Sequence, residues 1–272
     1  MQPFIRVHQL KQRFGTQEVL KGVSFDVNRG ELVALIGGSG EGKSVILKHL
    51  DGLMDPVEGY VEIDGQRLSH VPEREKRQIR RRIGFMFQQG ALFDSLSVGE
   101  NVAFPLREEG IRNEGELNAR IAAALDSVGL LGQEDKMPAN LSGGMIKRVA
   151  VARAIVTTPE CLLYDEPTAG LDPIVTDSIS FMIRNICKSR NITTVIVSHD
   201  MPSVIRIADK IIYLKDGTIY WSGAPGELLH TEDPALQQFL YGEAGEDWAA
   251  IGRGRDNFQR VLLERAERDM NQ

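Results

Sequence analysis

Lys43 and Ser44 close the stretch GGSGEGKS, which follows the apolar run ELVALI and precedes SVILKHL. The spacing G-x-x-x-x-G-K-[ST] between a strand pattern and a helix pattern is that of a phosphate cradle, formed here by Gly37, Gly38, Ser39, Gly40, Glu41, Gly42, Lys43, Ser44 and Val45. Glycines let backbone N–H groups turn toward a β-phosphate, and the helix N-terminus adds a favourable dipole. Lys43 reaches the β- and γ-phosphates, and the Ser44 hydroxyl is a ligand for Mg2+. A plain glycine-rich turn would account for the glycines but not for the lysine and hydroxyl beside them.

Such a loop needs a carboxylate for its metal and a group that orients water. CLLYDEP supplies both, with Asp165 ending an apolar run beside the metal and Glu166 next to it as the candidate general base. Two adjacent acids after a strand can also open a solvated loop; the phosphate cradle makes the catalytic reading the better one. The next apolar run, TTVIVS, leads to His199, a candidate γ-phosphate sensor, although a lone histidine is more often structural. Gln88 ends IGFMFQ by the same pattern and could contact metal or water. A second cradle-like start, LSGGM at Leu141–Met145, precedes MIKRVAVARAI and puts Ser142, Gly143 and Gly144 at a helix N-terminus.

The elements that must carry these groups follow from periodicity. FIRVHQL, VSFDV, ELVALIG, GYVEIDG and RIGFMFQ read as strands separated by turn residues. From Ala91 the texture turns helical, with Leu117, Ile121, Leu125 and Val128 on one face, so a helical subdomain is expected over about 91–158. CLLYD and TTVIVS are continuous apolar runs, as a parallel sheet covered on both faces requires. KIIYLKDGTIYWSG reads as a hairpin around Asp216-Gly217. Beyond Tyr241 a polar stretch leads to an amphipathic tail in which Phe258, Val261, Leu262 and Ala266 lie close to one helical face.

Composition sets the bounds. With 272 residues, 42% hydrophobic, the chain can bury the core of one large domain, and its net charge of -6 argues against a general nucleic-acid binder. The basic run Arg74–Arg82, REKRQIRRR, reads as a solvated helix face. Cys161 and Cys187 sit in apolar segments without metal spacing and read as buried thiols in a reducing compartment. No charged and apolar leader opens the chain, and no apolar run approaches the roughly 18 residues that cross a bilayer. A cytosolic protein is expected, unless a partner holds it at a membrane.

Taken in order, GGSGEGKS, FQQG, LSGGM, LLYDEP, AGLDP and VSHD resemble the nucleotide-binding subunit of an ABC transporter over about residues 4–240. The resemblance implies an α/β fold, a P-loop NTPase of ABC type with a RecA-like core, an N-terminal β subdomain and the helical subdomain, all within an ATPase domain of residues 1–241. It implies ATP and Mg2+, and a homodimer in which each LSGG segment closes over ATP held by the other subunit. That explains two cradles in one chain. Ser142 would offer its hydroxyl, and Gly143 and Gly144 their N–H groups. Phe14 is then similar to the aromatic that stacks on adenine, with a core or hairpin role as the alternative, and Asp172 in AGLDP to the residue linking the two sites. The fifth signature position departs from the pattern, with Met145 where many relatives have Gln.

Within the family, the segment Phe87–Glu108 and the LSGGM variant resemble the ATPases of bacterial lipid transporters of the Mla and Mce type. That implies phospholipid transport driven through a membrane permease of the MlaE type at the cytoplasmic side of the bacterial inner membrane. It leaves room for a small regulatory subunit and an Mce-type lipid-binding protein, without nucleic acid. Residues 242–272 would fold onto their own subunit or, as in the lipid-transporter ATPases, clasp the neighbour. ALF and NVAFPL could face a permease or fill the subdomain's own core. An ATPase for another substrate such as amino acids is the nearest alternative. A soluble ABC ATPase acting on protein or nucleic-acid assemblies is disfavoured by the single nucleotide unit, the acidic balance and the lack of a long coiled-coil insertion.

Overall fold

The computed structural model describes residues 2–241, so the tail stripe from Phe258 to Ala266 lies outside the described residues. Two long strands, β1 (Ile5–Phe14) and β2 (Gln17–Val27), are followed by β3 (Leu32–Gly37), helix α1 (Lys43–Leu50), β4 (Glu58–Ile63) and the short β5 (Gln66–Arg67). Next come α2 (Glu73–Arg80), β6 (Ile83–Met86) and three helices, α3 (Val98–Glu108), α4 (Glu114–Ser127) and α5 (Gly143–Ile155). Then strands and helices alternate: β7 (Cys161–Asp165), α6 (Pro173–Arg190), β8 (Thr193–Val197) and α7 (Met201–Ile207). A hairpin, β9 (Lys210–Lys215) and β10 (Thr218–Gly223), leads to α8 (Pro225–Leu229) and α9 (Pro234–Tyr241).

The strands form two sheets. One is antiparallel, in the order β2-β1-β4-β5. The other runs β10-β9-β3-β8-β7-β6, with all neighbours parallel except the edge strand β10. Side chains alternate across a strand, so a sheet covered on both faces needs apolar residues at every position. Val33, Leu35, Leu163, Val195 and Val197 accordingly join a core with Ile46 and Leu47 of α1 and with the antiparallel sheet. Ala34, Ile36, Leu162, Tyr164 and Ile196 point the other way, into a second core shared with α3 to α7. The expected face of α4 is buried there too: Leu117, Ile121, Leu125 and, one residue past the helix, Val128.

Most of the basic run is a solvated helix face, with Arg74, Arg77 and Arg81 exposed, but two of its cations turn inward. Lys76 is buried and donates to Asp55 at 2.7 Å. Arg82 bonds Glu160 at 2.7 Å and Asp64 at 2.6 Å, and Arg29 reaches the same two acids. Both guanidinium groups lie over the ring of Phe4, and the Arg82 hydrogen bond holds the Glu160 carboxyl down to about 2. The carboxylates that decide this come from β4–β5 and from just before β7, far away in sequence. Cys161 and Cys187 are both buried free thiols, and burial pushes Cys187 up to about 11. Among the described residues no helix is long and apolar enough to cross a membrane.

Candidate functional site

Four segments leave the parallel sheet at its carboxyl edge, where open α/β sheets bind ligands. After β3 the chain turns through Gly38–Gly42 into α1. Gly42 sits at φ 95°, and a Cβ there would stand 2.7 Å from Leu20 and 3.1 Å from Val19 of β2, so both conformation and space demand glycine. No side chain caps α1 at Gly42, which leaves its first amides free for an anion. The buried Lys43 ammonium donates to the carbonyls of Gly37 at 2.9 Å and Gly38 at 2.7 Å, and burial lowers its pKa against the pull of Glu166, Glu41 and Asp165. Glu41 accepts from the Gly217 amide at 3.3 Å and so ties the loop to the β9–β10 turn.

Ser44 donates its hydroxyl to Asp165 Oδ1 at 3.0 Å, joining the start of α1 to the end of β7. Glu166 follows in a left-handed conformation, φ 49°, which is uncommon for a residue with a side chain and tends to occur at functional sites. Its Oε2 accepts from the His199 amide at 3.3 Å. Its Oε1 is buried without an aligned donor, although His199 Nε2 stands 2.9 Å away. Burial raises the Glu166 carboxyl to about 6, against the His199 amide, Lys43 and Lys147 and with Asp165. Burial and then Lys43 lower His199, so its imidazole is neutral near pH 7.

Gln88 is not on a strand, as the apolar pattern had it. β6 ends at Met86, paired with Tyr164, and the chain turns away because the Gln88 carbonyl is taken by Lys147 and Gly90 adopts φ 78°. His199 likewise lies two residues beyond β8. Even so, Gln88, Glu166 and His199 line one cavity of about 560 Å³, together with Thr168, Thr176 and Asp200. Phe14 ends β1 and is 47% exposed, in the hairpin whose β2 arm touches Gly42.

The remaining expected site residues sit at two helix starts. Ser142 is the N-cap of α5, its Oγ accepting from the Met145 amide at 3.3 Å, and Gly143 and Gly144 form the first turn. A Cβ on Gly144 would stand 2.8 Å from Val175 of α6, so the two helix starts are in close contact. Asp172 caps α6, its Oδ1 accepting from the amides of Ile174 and Val175, each at 3.0 Å. These hydrogen bonds stay within the two helix starts and do not reach the phosphate loop. The Met145 side chain packs on the core shared by these helices.

Two features escaped the sequence reading. Lys147 and Arg153 sit inside MIKRVAVARAI, yet both turn back toward the loop after β6. The only signal was three cations, Lys147, Arg148 and Arg153, in an otherwise apolar helix. The second feature is a groove of about 470 Å³ lined by Phe85, Phe87, Phe93 and Phe104 with Arg80 and Arg153. It divides the residues left ambiguous above: Val102, Ala103 and Leu106 are core, while Phe93 and Phe104 are 43% and 38% exposed, with their rings 4.7 Å apart. Asn101 sets this up by bonding the carbonyls of Phe93, Leu96 and Ser97 and the amide of Phe93.

The donors at the edge are a hydroxyl, a carboxylate and an amide, hard oxygen groups that suit Mg2+. No group of three His, Cys, Asp or Glu side chains able to hold a metal occurs among the described residues. Fold and edge together define a phosphate-loop α/β nucleotide hydrolase. A family model described as ABC transporter matches residues 20–169. The chain is 40% identical over 255 residues to Protein TRIGALACTOSYLDIACYLGLYCEROL 3, chloroplastic, of Arabidopsis thaliana, covering 88% of this chain and 73% of that protein. It is 37% identical over 243 residues to the intermembrane phospholipid transport system ATP-binding protein MlaF of Haemophilus influenzae, covering 89% and 92%. Among solved structures, the dimeric post-hydrolysis state of the ATP-binding cassette MJ0796 bound to ADP and Pi is 33% identical with a TM-score of 0.75, covering 81% of this chain and 98% of that one. The chain belongs to the ABC transporter family and is one of its ATPases.

Proposed function

We propose that this ATPase works as a homodimer on the cytoplasmic face of a bacterial inner membrane and drives phospholipid transport through a permease. The observation that carries the dimer is the presence of two separate helix starts suited to phosphate, α1 and α5, whose hydrogen bonds stay apart within one chain. The dimeric relative and the two lipid-associated relatives support the same reading.

In this reading Lys43 and the amides from Gly38 to Val45 clamp the ATP phosphates, and Phe14 stacks on adenine. Ser44, Asp165 and Gln88 would hold Mg2+, which neutralises phosphate charge. Glu166, with its carboxyl at about 6, is mostly ionised at cytosolic pH and takes the proton of the attacking water. His199 stands against its Oε1 and faces the γ-phosphate. Ser142, Gly143 and Gly144 of the second copy close the site, and Asp172 links the two sites while capping its own helix. Residues 242–272 clasp the neighbouring subunit between cycles. The aromatic groove receives a cytoplasmic helix of an MlaE-type permease, with an Mce-type lipid-binding protein and a small regulatory subunit completing the assembly.

Isolation of the full chain from detergent-solubilised membranes tests this. A permease and bound phospholipid should co-isolate, and the double variant Phe93→Ser, Phe104→Ser should lose the permease while its ATP binding persists. Recovery of a transporter carrying amino acids, or of no membrane partner, would overturn the substrate reading.

A further inference from the structure

A buried ammonium needs a strong reason to be where it is, because desolvation is unfavourable unless its donors are satisfied. Lys147 lies five residues past Ser142 on α5 and is 6% exposed. Among the described residues no carboxylate bonds it; its hydrogen bond goes to the main-chain carbonyl of Gln88. Further along α5, Arg153 donates to the carbonyls of Gly90 at 2.6 Å and Ala91 at 2.8 Å. Gly90 and Ala91 both adopt left-handed conformations, φ 78° and 47°, and the second is one a non-glycine residue seldom holds without outside support. The helix that begins with Ser142-Gly143-Gly144 therefore grips the loop that carries Gln88 at three carbonyls.

We propose that Lys147 is a positioning residue for ATP hydrolysis, fixing the Gln88 main chain so that its side chain lines the same cavity as Glu166, and tying that loop to the start of α5. Arg153 anchors the far end of the loop, whereas Lys147 bonds the residue at the site itself. The inference rests on the reading of Gln88 as a metal and water contact. Lys147 acts on turnover through Gln88 and leaves nucleotide capture to the phosphate loop, which it does not touch.

The test uses the full chain assembled with its permease and compares Lys147→Arg, Lys147→Met, Gln88→Ala and the double variant Gln88→Ala, Lys147→Met. Lys147→Met should lower kcat about tenfold or more with KM for ATP within about threefold, a loss confined to the transition state. Lys147→Arg, which keeps a cationic donor, should recover most of the rate. In the Gln88→Ala background, Lys147→Met should lower kcat by less than about twofold more, since residues acting through one another are non-additive. If Lys147→Met fails to fold, Lys147→Gln carries the same comparison. Impaired Gln88→Ala with Lys147→Met at the wild-type rate, or a full additive loss in the double variant, would overturn the proposal alone. Gln88→Ala at the wild-type rate would overturn the reading of Gln88 and the proposal with it.

Discussion

Replacing Glu166 by Gln should make this protein more stable and nearly inactive at once. The Glu166 side chain is 11% exposed and its Oε1 has no aligned donor, so ionising it in the folded chain is unfavourable. A carboxyl raised from its ordinary 4.5 to about 6 corresponds to about 2 kcal/mol of lost stability once both folded and unfolded forms are ionised. The sign follows from proton linkage. The penalty is complete above the folded value of about 6 and absent below 4.5. Gln is the same size and carries no charge, so at pH 8 the nucleotide-free variant should unfold about 4 °C above wild type. That gap should shrink steadily as the pH falls toward 5. Steady-state ATP turnover should drop by about two orders of magnitude or more, because the group that takes the proton of water is gone, while ATP binding persists. Thermal unfolding of the full chain at pH 8, 6.5 and 5 beside an ATPase assay reads all of this. A less stable variant, or a stability gap independent of pH, would refute the burial argument, and wild-type turnover would refute the catalytic one.

Gly144→Asp should abolish ATP hydrolysis in the assembled transporter, through like charge beside the triphosphate and a clash with Val175, which a Cβ would meet at 2.8 Å. Gly144→Ala separates the two causes, because the clash alone should lower the unfolding midpoint by a few degrees on the order of 1 kcal/mol. Met145→Gln should leave ATPase activity within a few-fold of wild type while destabilising the fold by about 1 kcal/mol, since that side chain packs on the core and bonds nothing at the site. Truncation after Tyr241 should leave ATP binding intact and weaken nucleotide-free dimers, as read by sedimentation; an unchanged dimer would assign the tail to its own subunit.

The phosphate loop, the Asp165–Glu166 pair and the signature start were legible in the chain itself, because each depends on residue types at fixed spacing within one continuous segment. That the parallel sheet is covered on both faces was legible for a similar reason, from the continuous apolar runs of β7 and β8, but which alternate residues meet α1 and which meet α5 and α6 was not. What depended on distant segments was not legible. No local pattern says that the Gln88 carbonyl is held by Lys147, that the acids answering Arg82 are Asp64 and Glu160, or that Phe93 faces a groove while Leu106 is core. Those outcomes arise where strands and helices remote in sequence converge. A cation, an amide or a ring is satisfied there by whichever neighbour the packing delivers, and only the tertiary structure decided which neighbour that was.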